Sequence, residues 1–116
     1  MELPAQVDVA IVGGGFTGLW TAYYLKCLEP SLDIAVLEAV TLGFGASGRN
    51  GGWCMGMAAG VDDLLEDPAE REAGVRLTRA MMNTVDEVAR VCQAENIDCH
   101  YAKGGTLSVA YAPFAA

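Results

Sequence analysis

Basic residues are scarce in this chain: seven Lys and Arg stand against fifteen Asp and Glu, a formal net charge of −8. Such a surface repels polyanions, so neither nucleic acid nor an anionic membrane is an expected partner. Histidine is rarer still, with His100 alone, and Cys27, Cys54, Cys92 and Cys99 form no C-x-x-C pair. Ordinary zinc modules are thereby excluded, and no metal site is expected. No basic region precedes the apolar residues 7–25, and three consecutive glycines interrupt them. Each glycine weakens a helix by about 1 kcal/mol relative to alanine. Neither a secretory leader nor a membrane span is expected, and the reducing cytoplasm is the expected compartment, without a disulfide framework. A composition of 53% hydrophobic and 19% charged residues over 116 positions then suits one globular domain with a modest core.

Glycine, by contrast, is plentiful and placed. "VDVAIV" (7–12) is a β-branched run that halts at glycine, as a buried parallel strand does. Residues 16–28 change to helical spacing and end before Pro30, and "DIAVLEA" (33–39) reads as a second buried strand. Strand, glycine turn, helix and strand make a βαβ unit. Downstream, Asp67 and Pro68 suit the N-cap and first position of a long helix. Leu77, Met81, Val85, Val88 and Cys92 mark its apolar face, with Met81 and Met82 as core filler. The acidic residues from Asp62 to Glu72 read as a solvated helix start. Residues 97–102 and 106–111 are expected to be two strands joined through Lys103-Gly104-Gly105.

Gly13-Gly14-Gly15-Phe16-Thr17-Gly18 satisfies G-x-G-x-x-G, follows a strand, opens a helix and precedes an acid, Glu38, by twenty residues. That context makes it a dinucleotide fingerprint. Gly13 permits the tight turn, Gly15 admits a diphosphate to the backbone, and Gly18 lets helix and strand approach. The helix start presents N–H groups to the anion. Glu38 accepts hydrogen bonds from a ribose diol and disfavours a 2′-phosphate. These residues leave NAD and FAD both open.

The combination "DVAIVGGGFTGLWTAYYL…DIAVLEA…GFGASGRNGG" resembles the FAD-dependent oxidoreductases of the D-amino-acid oxidase (DAO) family, nearest in look to the branch with glycine oxidase and γ-glutamylputrescine oxidase. The resemblance implies FAD as cofactor. It also implies a Rossmann-like α/β fold: the N-terminal part of the FAD-binding domain over residues 1–96, then the opening strands of a β-rich substrate domain over 97–116. It implies that 43–56 returns along the cofactor, with Ala46, Ser47, Arg49, Asn50 and Gly51 joining Gly13 to Gly18, Glu38 and Ala39 against FAD. Ser47 would donate to phosphate; Arg49 would balance charge on the diphosphate or on the reduced ring. Trp53 is expected to pack this loop down. Some relatives of this type hold FAD covalently through a histidine in the loop, which this segment lacks, so noncovalent binding is implied.

The implied activity is oxidation of an amine or amino acid by hydride transfer to flavin. The imine product hydrolyses, and oxygen commonly reoxidises the flavin with release of hydrogen peroxide. Such relatives are several times longer, so a partial chain, inactive alone, is expected, and no catalytic residue is assigned. Two other readings remain open: a nucleotide-binding module without turnover, and a flavin dehydrogenase that passes electrons to a quinone or a protein carrier.

Overall fold

The computed structural model describes residues 5–107 and 109, which fall into two compact units, Met1–Trp53 and Cys54–Ala116. In the first unit, β1 (Val9–Val12) and β2 (Ile34–Leu37) pair in parallel, with Val9 opposite Ile34 and Val12 opposite Leu37. Asp8 fastens the entrance: its N–H donates to the Asp33 carbonyl at 2.9 Å, and its carboxylate accepts the Asp33 N–H at 2.7 Å. Between the strands runs α1 (Phe16–Leu28), which packs on both. Lys26 helps to end α1 by donating to the Pro30 and Leu32 carbonyls, each at 2.8 Å, where a cation also suits the helix dipole.

Strand, helix and strand of this unit agree in order and type with the sequence reading, and both strands are shorter than expected. Their burial differs. Val9 and Ile11 are half-buried while Ala10 and Val12 face outward, Val12 at 87% exposure. Side chains alternate across a strand, and α1 covers one face of this pair, so a run that reads as buried on both faces is buried on one.

The second unit contains α2 (Val61–Glu66) and α3 (Arg71–Ala94), packed on each other. The acidic segment is split: Asp62, Asp63 and Glu66 belong to α2, with Asp62 and Asp63 in its first turn, where carboxylates favour the dipole, and Glu72 lies in the first turn of α3. Asp67 and Pro68 lie in the connection and do not start α3. The residue before a proline is driven from the helical region, and Asp67 takes φ −75° and ψ 118°, which closes α2. Asp67 then organises the turn: its carboxylate accepts the Ala69 N–H at 2.8 Å and its carbonyl the Arg71 N–H at 2.8 Å.

On α3 the inward face carries Met81, Val85, Val88 and Cys92 as expected, all half-buried, and adds buried Gly74 and Val91 and half-buried Thr78. Leu77 is 38% exposed and Met82 56% exposed, so neither is core. Gly74 anchors this face, since a Cβ there would stand 3.1 Å from side-chain atoms of Leu64 and Leu65. The expected strand at 97–102 is absent. Asn96, at φ 54°, ends α3 in a left-handed cap in which the Asn96 N–H donates to Gln93 O and the Ile97 N–H to Cys92 O at 2.8 Å. This reversal sends the chain back along α3, where the Tyr101 hydroxyl donates to the Val85 carbonyl at 3.0 Å and Lys103 pairs with Asp86. Half of the expected strand at 106–111 lies outside the described residues.

Among the glycines of the first unit, Gly18 leaves the least room: a Cβ would fall 2.0 Å from the Gly13 carbonyl oxygen and 3.3 Å from Ile11. Both obstacles belong to the strand end and its turn. Gly18→Ala should therefore destabilise the unit by at least about 2 kcal/mol. Denaturant melts of the two proteins measure this, and an unchanged midpoint contradicts it.

Candidate functional site

The site grows from the end of β1. The ladder continues one step past the strand, through the Gly13 N–H to Leu37 O at 2.8 Å. Gly13 then takes φ +104°, a conformation that L side chains rarely adopt, and turns the chain into α1. The first N–H groups of a helix have no acceptor within it. One of them, the Phe16 N–H, donates to Ser47 Oγ at 2.9 Å, across 31 residues of sequence. A Cβ on Gly15 would lie 3.0 Å from that same oxygen, so Gly15 is what admits Ser47 to the helix start.

The glycine-rich segment is therefore folded structure and not linker. Its Gly43 N–H donates to Gly14 O at 2.9 Å, which ties it to the fingerprint turn. Gly43 has φ +74°, and a Cβ on Gly48 would sit 2.2 Å from the Gly43 carbonyl oxygen, so this fold-back also requires glycine. A short 3₁₀ turn, Ala46–Gly48, carries Ser47. Asn50 secures the turn from behind, donating to Ser47 O at 2.7 Å and Ala46 O at 3.3 Å, while its own oxygen accepts the Gly52 N–H at 2.8 Å. The Arg49 guanidinium lies 4.5 Å from the centre of the Phe44 ring, a cation–π contact. Trp53 is 85% exposed and does not pack the loop down; glycine contacts and Asn50 hold it instead.

An open cleft of about 420 Å³ results, and Gly13, Gly15, Phe16, Thr17, Gly18 and Ser47 all line it. Beside it, Glu38 Oε2 accepts the Gly14 N–H at 2.9 Å and Oε1 the Val40 N–H at 3.1 Å. The Gly14 bond, then the Val40 bond, hold this carboxyl below its ordinary 4.5 against a smaller opposing effect of desolvation. Ala39, Ala46, Arg49, Asn50 and Gly51 are exposed and do not line the cleft. Ile11, Val12 and Thr21 line it without having been expected. Thr21 was available to sequence reasoning, because it stands one helical turn beyond Thr17, to whose carbonyl its hydroxyl donates at 2.7 Å.

A helix N-terminus, a hydroxyl already oriented there and a left-handed glycine form a cradle for a phosphate group. The carboxylate at the end of β2 retains lone pairs for ribose hydroxyls, since a carboxylate offers about four acceptor sites. Together they have the arrangement that a dinucleotide-binding βαβ site of the ADP-recognising class requires.

The comparisons narrow that class. The model of the DAO family of FAD dependent oxidoreductases matches residues 8–116, and the chain belongs to this family, whose cofactor is FAD. The chain is 38% identical over 98 residues to the gamma-glutamylputrescine oxidoreductase of Escherichia coli (strain K12), covering 84% of this chain and 22% of that protein. It is 35% identical over 100 residues to the probable oxidoreductase OrdL of Haemophilus influenzae (strain ATCC 51907 / DSM 11121 / KW20 / Rd), covering 85% and 22%. A probable malate:quinone oxidoreductase of Bordetella avium (strain 197N) is 34% identical over 93 residues, covering 77% and 18%. The chain thus spans about a fifth of the length of these relatives. No solved structure gives a significant match.

The Glu38 bonds carry a pH dependence with a definite sign. A carboxyl held below 4.5 in the folded state binds fewer protons there than in the unfolded chain, so its contribution is present above pH 4.5. It is lost as pH falls through the lower, folded-state value. The stability difference between the wild type and Glu38→Gln should be constant above pH 4.5 and shrink on further acidification. A difference that grows with acid in paired denaturant titrations contradicts this.

Proposed function

We propose that this chain is the ADP-binding portion of an FAD-dependent amine or amino-acid oxidoreductase. The observation that carries the nucleotide half is Ser47 Oγ seated on the Phe16 N–H at 2.9 Å inside the fingerprint cleft. From there the hydroxyl proton can turn to a phosphate oxygen while the helix N–H groups stabilise its charge. Glu38, already fixed by two backbone N–H groups, is held ready to accept a ribose hydroxyl. Arg49, exposed over Phe44, is the cation assigned to the diphosphate or to the reduced ring, with Ala46, Asn50 and Gly51 shaping the backbone beside it and Ala39 flanking the ribose.

The amine half rests on the gamma-glutamylputrescine oxidoreductase match and its identity of 38%. FAD, when bound, supplies the acceptor for hydride from the carbon beside the substrate nitrogen. The organic product is an imine, which water hydrolyses, and oxygen takes the electron pair to give hydrogen peroxide. The match to a probable malate:quinone oxidoreductase favours a second reading, in which a quinone takes the electrons. In the whole protein, residues 97–116 would open the substrate domain. Four free cysteines suit a reducing compartment such as the cytoplasm.

The purified whole protein should carry noncovalent FAD. Glu38→Gln should weaken flavin binding about 5- to 30-fold, because a charge-assisted hydrogen bond becomes a neutral one. Ser47→Ala should weaken it about fivefold through loss of the oriented hydroxyl. Flavin fluorescence titrations read both, and unchanged affinity in either variant removes that residue from the site. Recovery of tightly bound NAD without flavin overturns the cofactor assignment. Peroxide release with a panel of amines separates the oxygen and quinone readings.

A further inference from the structure

Cys92 and Cys99 stand apart from the nucleotide cleft. Their sulfurs are 3.6 Å apart, with the Cys99 thiol donating to Cys92, and Cys99 is exposed while Cys92 is half-buried. Several independent features bring them together. The left-handed cap at Asn96 reverses the chain at the end of α3, with the Ile97 N–H bonded to the carbonyl of Cys92 itself. His100, at φ 54°, turns the chain again immediately after Cys99. Tyr101 on Val85 and Lys103 on Asp86 then clasp the returning segment to the helix. Among the described residues, no three His, Cys, Asp or Glu side chains are placed to hold a metal ion.

We infer that Cys92 and Cys99 are a peroxide-oxidisable dithiol, which closes an intramolecular disulfide that locks the returning segment onto the end of α3. A disulfide needs the sulfurs at about 2.05 Å, so a closure of roughly 1.6 Å is required, within reach of side-chain rotation. Exposed Cys99 attacks first. Its thiolate forms an S–O bond with hydrogen peroxide as the O–O bond breaks, and the departing hydroxide takes a proton to become water. The Cys92 thiolate then attacks the Cys99 sulfur, forming the S–S bond and breaking S–O, and the second hydroxide leaves as water. Two thiols are oxidised by two electrons and one peroxide is reduced to two waters. Hydrogen bonding with Cys99, and then desolvation, push the Cys92 thiol above its ordinary value, which fits the sulfur that resolves the sulfenic acid and not the one that starts. The oxidant is a hydroperoxide from any source, so the inference does not depend on the substrate of the enzyme.

The test treats the whole protein with hydrogen peroxide, blocks the remaining thiols and digests without reductant. Trypsin, cutting after Arg90 and Lys103, releases residues 91–103 with both cysteines. That peptide should be lighter by two hydrogens than its reduced form. A further cut at Glu95 or Asp98 should leave two pieces that stay joined until reductant is added. Cys99→Ser should abolish the linkage, and Cys92→Ser should leave Cys99 oxidised to sulfenic acid that a dimedone probe captures. Oxidation of Cys99 to the sulfinic acid with no linkage in the wild type overturns the inference. So does a disulfide from Cys92 to Cys54, the third thiol close enough to raise Cys92.

Discussion

The contact between Gly18 and the Gly13 carbonyl governs the first unit. With 2.0 Å between that oxygen and the place where a Cβ would stand, α1 starts closer to the end of β1 than any other residue at 18 would permit. This proximity has two effects. It drives Gly13 to φ +104°, because the chain must turn within one residue of the strand. It also sets the first turn of α1 directly over the strand end, where its N–H groups open into the cleft. Ser47 then has a fixed target, and the glycine-rich segment that carries it has a reason to fold back.

That fold-back explains why the segment tolerates so few side chains. Gly43 must be left-handed, Gly48 must pass the Gly43 carbonyl, and Gly15 must leave room for the Ser47 hydroxyl. Each is a separate steric demand, and each lies along the path from Glu38 to the helix start. Asn50 supplies what the glycines cannot, by satisfying carbonyls of the short 3₁₀ turn and an N–H beyond it. The loop is thus held before any ligand arrives, and a preformed cradle spares the ordering entropy that a mobile loop would lose on binding.

Local signals were legible in the sequence wherever one residue type answers one steric need. Gly13 makes the turn and Gly18 the close approach of helix and strand that their spacing gives them, and α1 spans the expected residues. Tertiary choices were less legible. Asp67-Pro68 reads equally well as the start of α3 or as the stop of α2, and only the packing of α2 on Gly74 decides between them. Residues 97–102 have strand composition, but the Asn96 cap and the Tyr101 and Lys103 clasps return them to the helix. Trp53 looks like a packing residue by size alone, whereas the glycine contacts already immobilise its loop. The Ser47–Phe16 bond spans 31 residues, and no local pattern announces it.

The same geometry limits what this portion of the protein can decide. The polar groups at and beside the cleft are suited to phosphate or ribose: helix N–H groups, the Ser47 hydroxyl with Thr17 and Thr21 near it, and the Glu38 carboxylate. Relatives whose names carry substrates as different as gamma-glutamylputrescine and malate align with this one region at 38% and 34% identity. Contacts of this kind would hold the part of the cofactor that does not react, so they would contribute equally whatever the substrate, and equal binding does not discriminate. Discrimination has to come from groups that face the substrate itself. Changes at Gly13, Ser47 or Glu38 should therefore alter how much flavin is bound and leave the ranking of substrates intact.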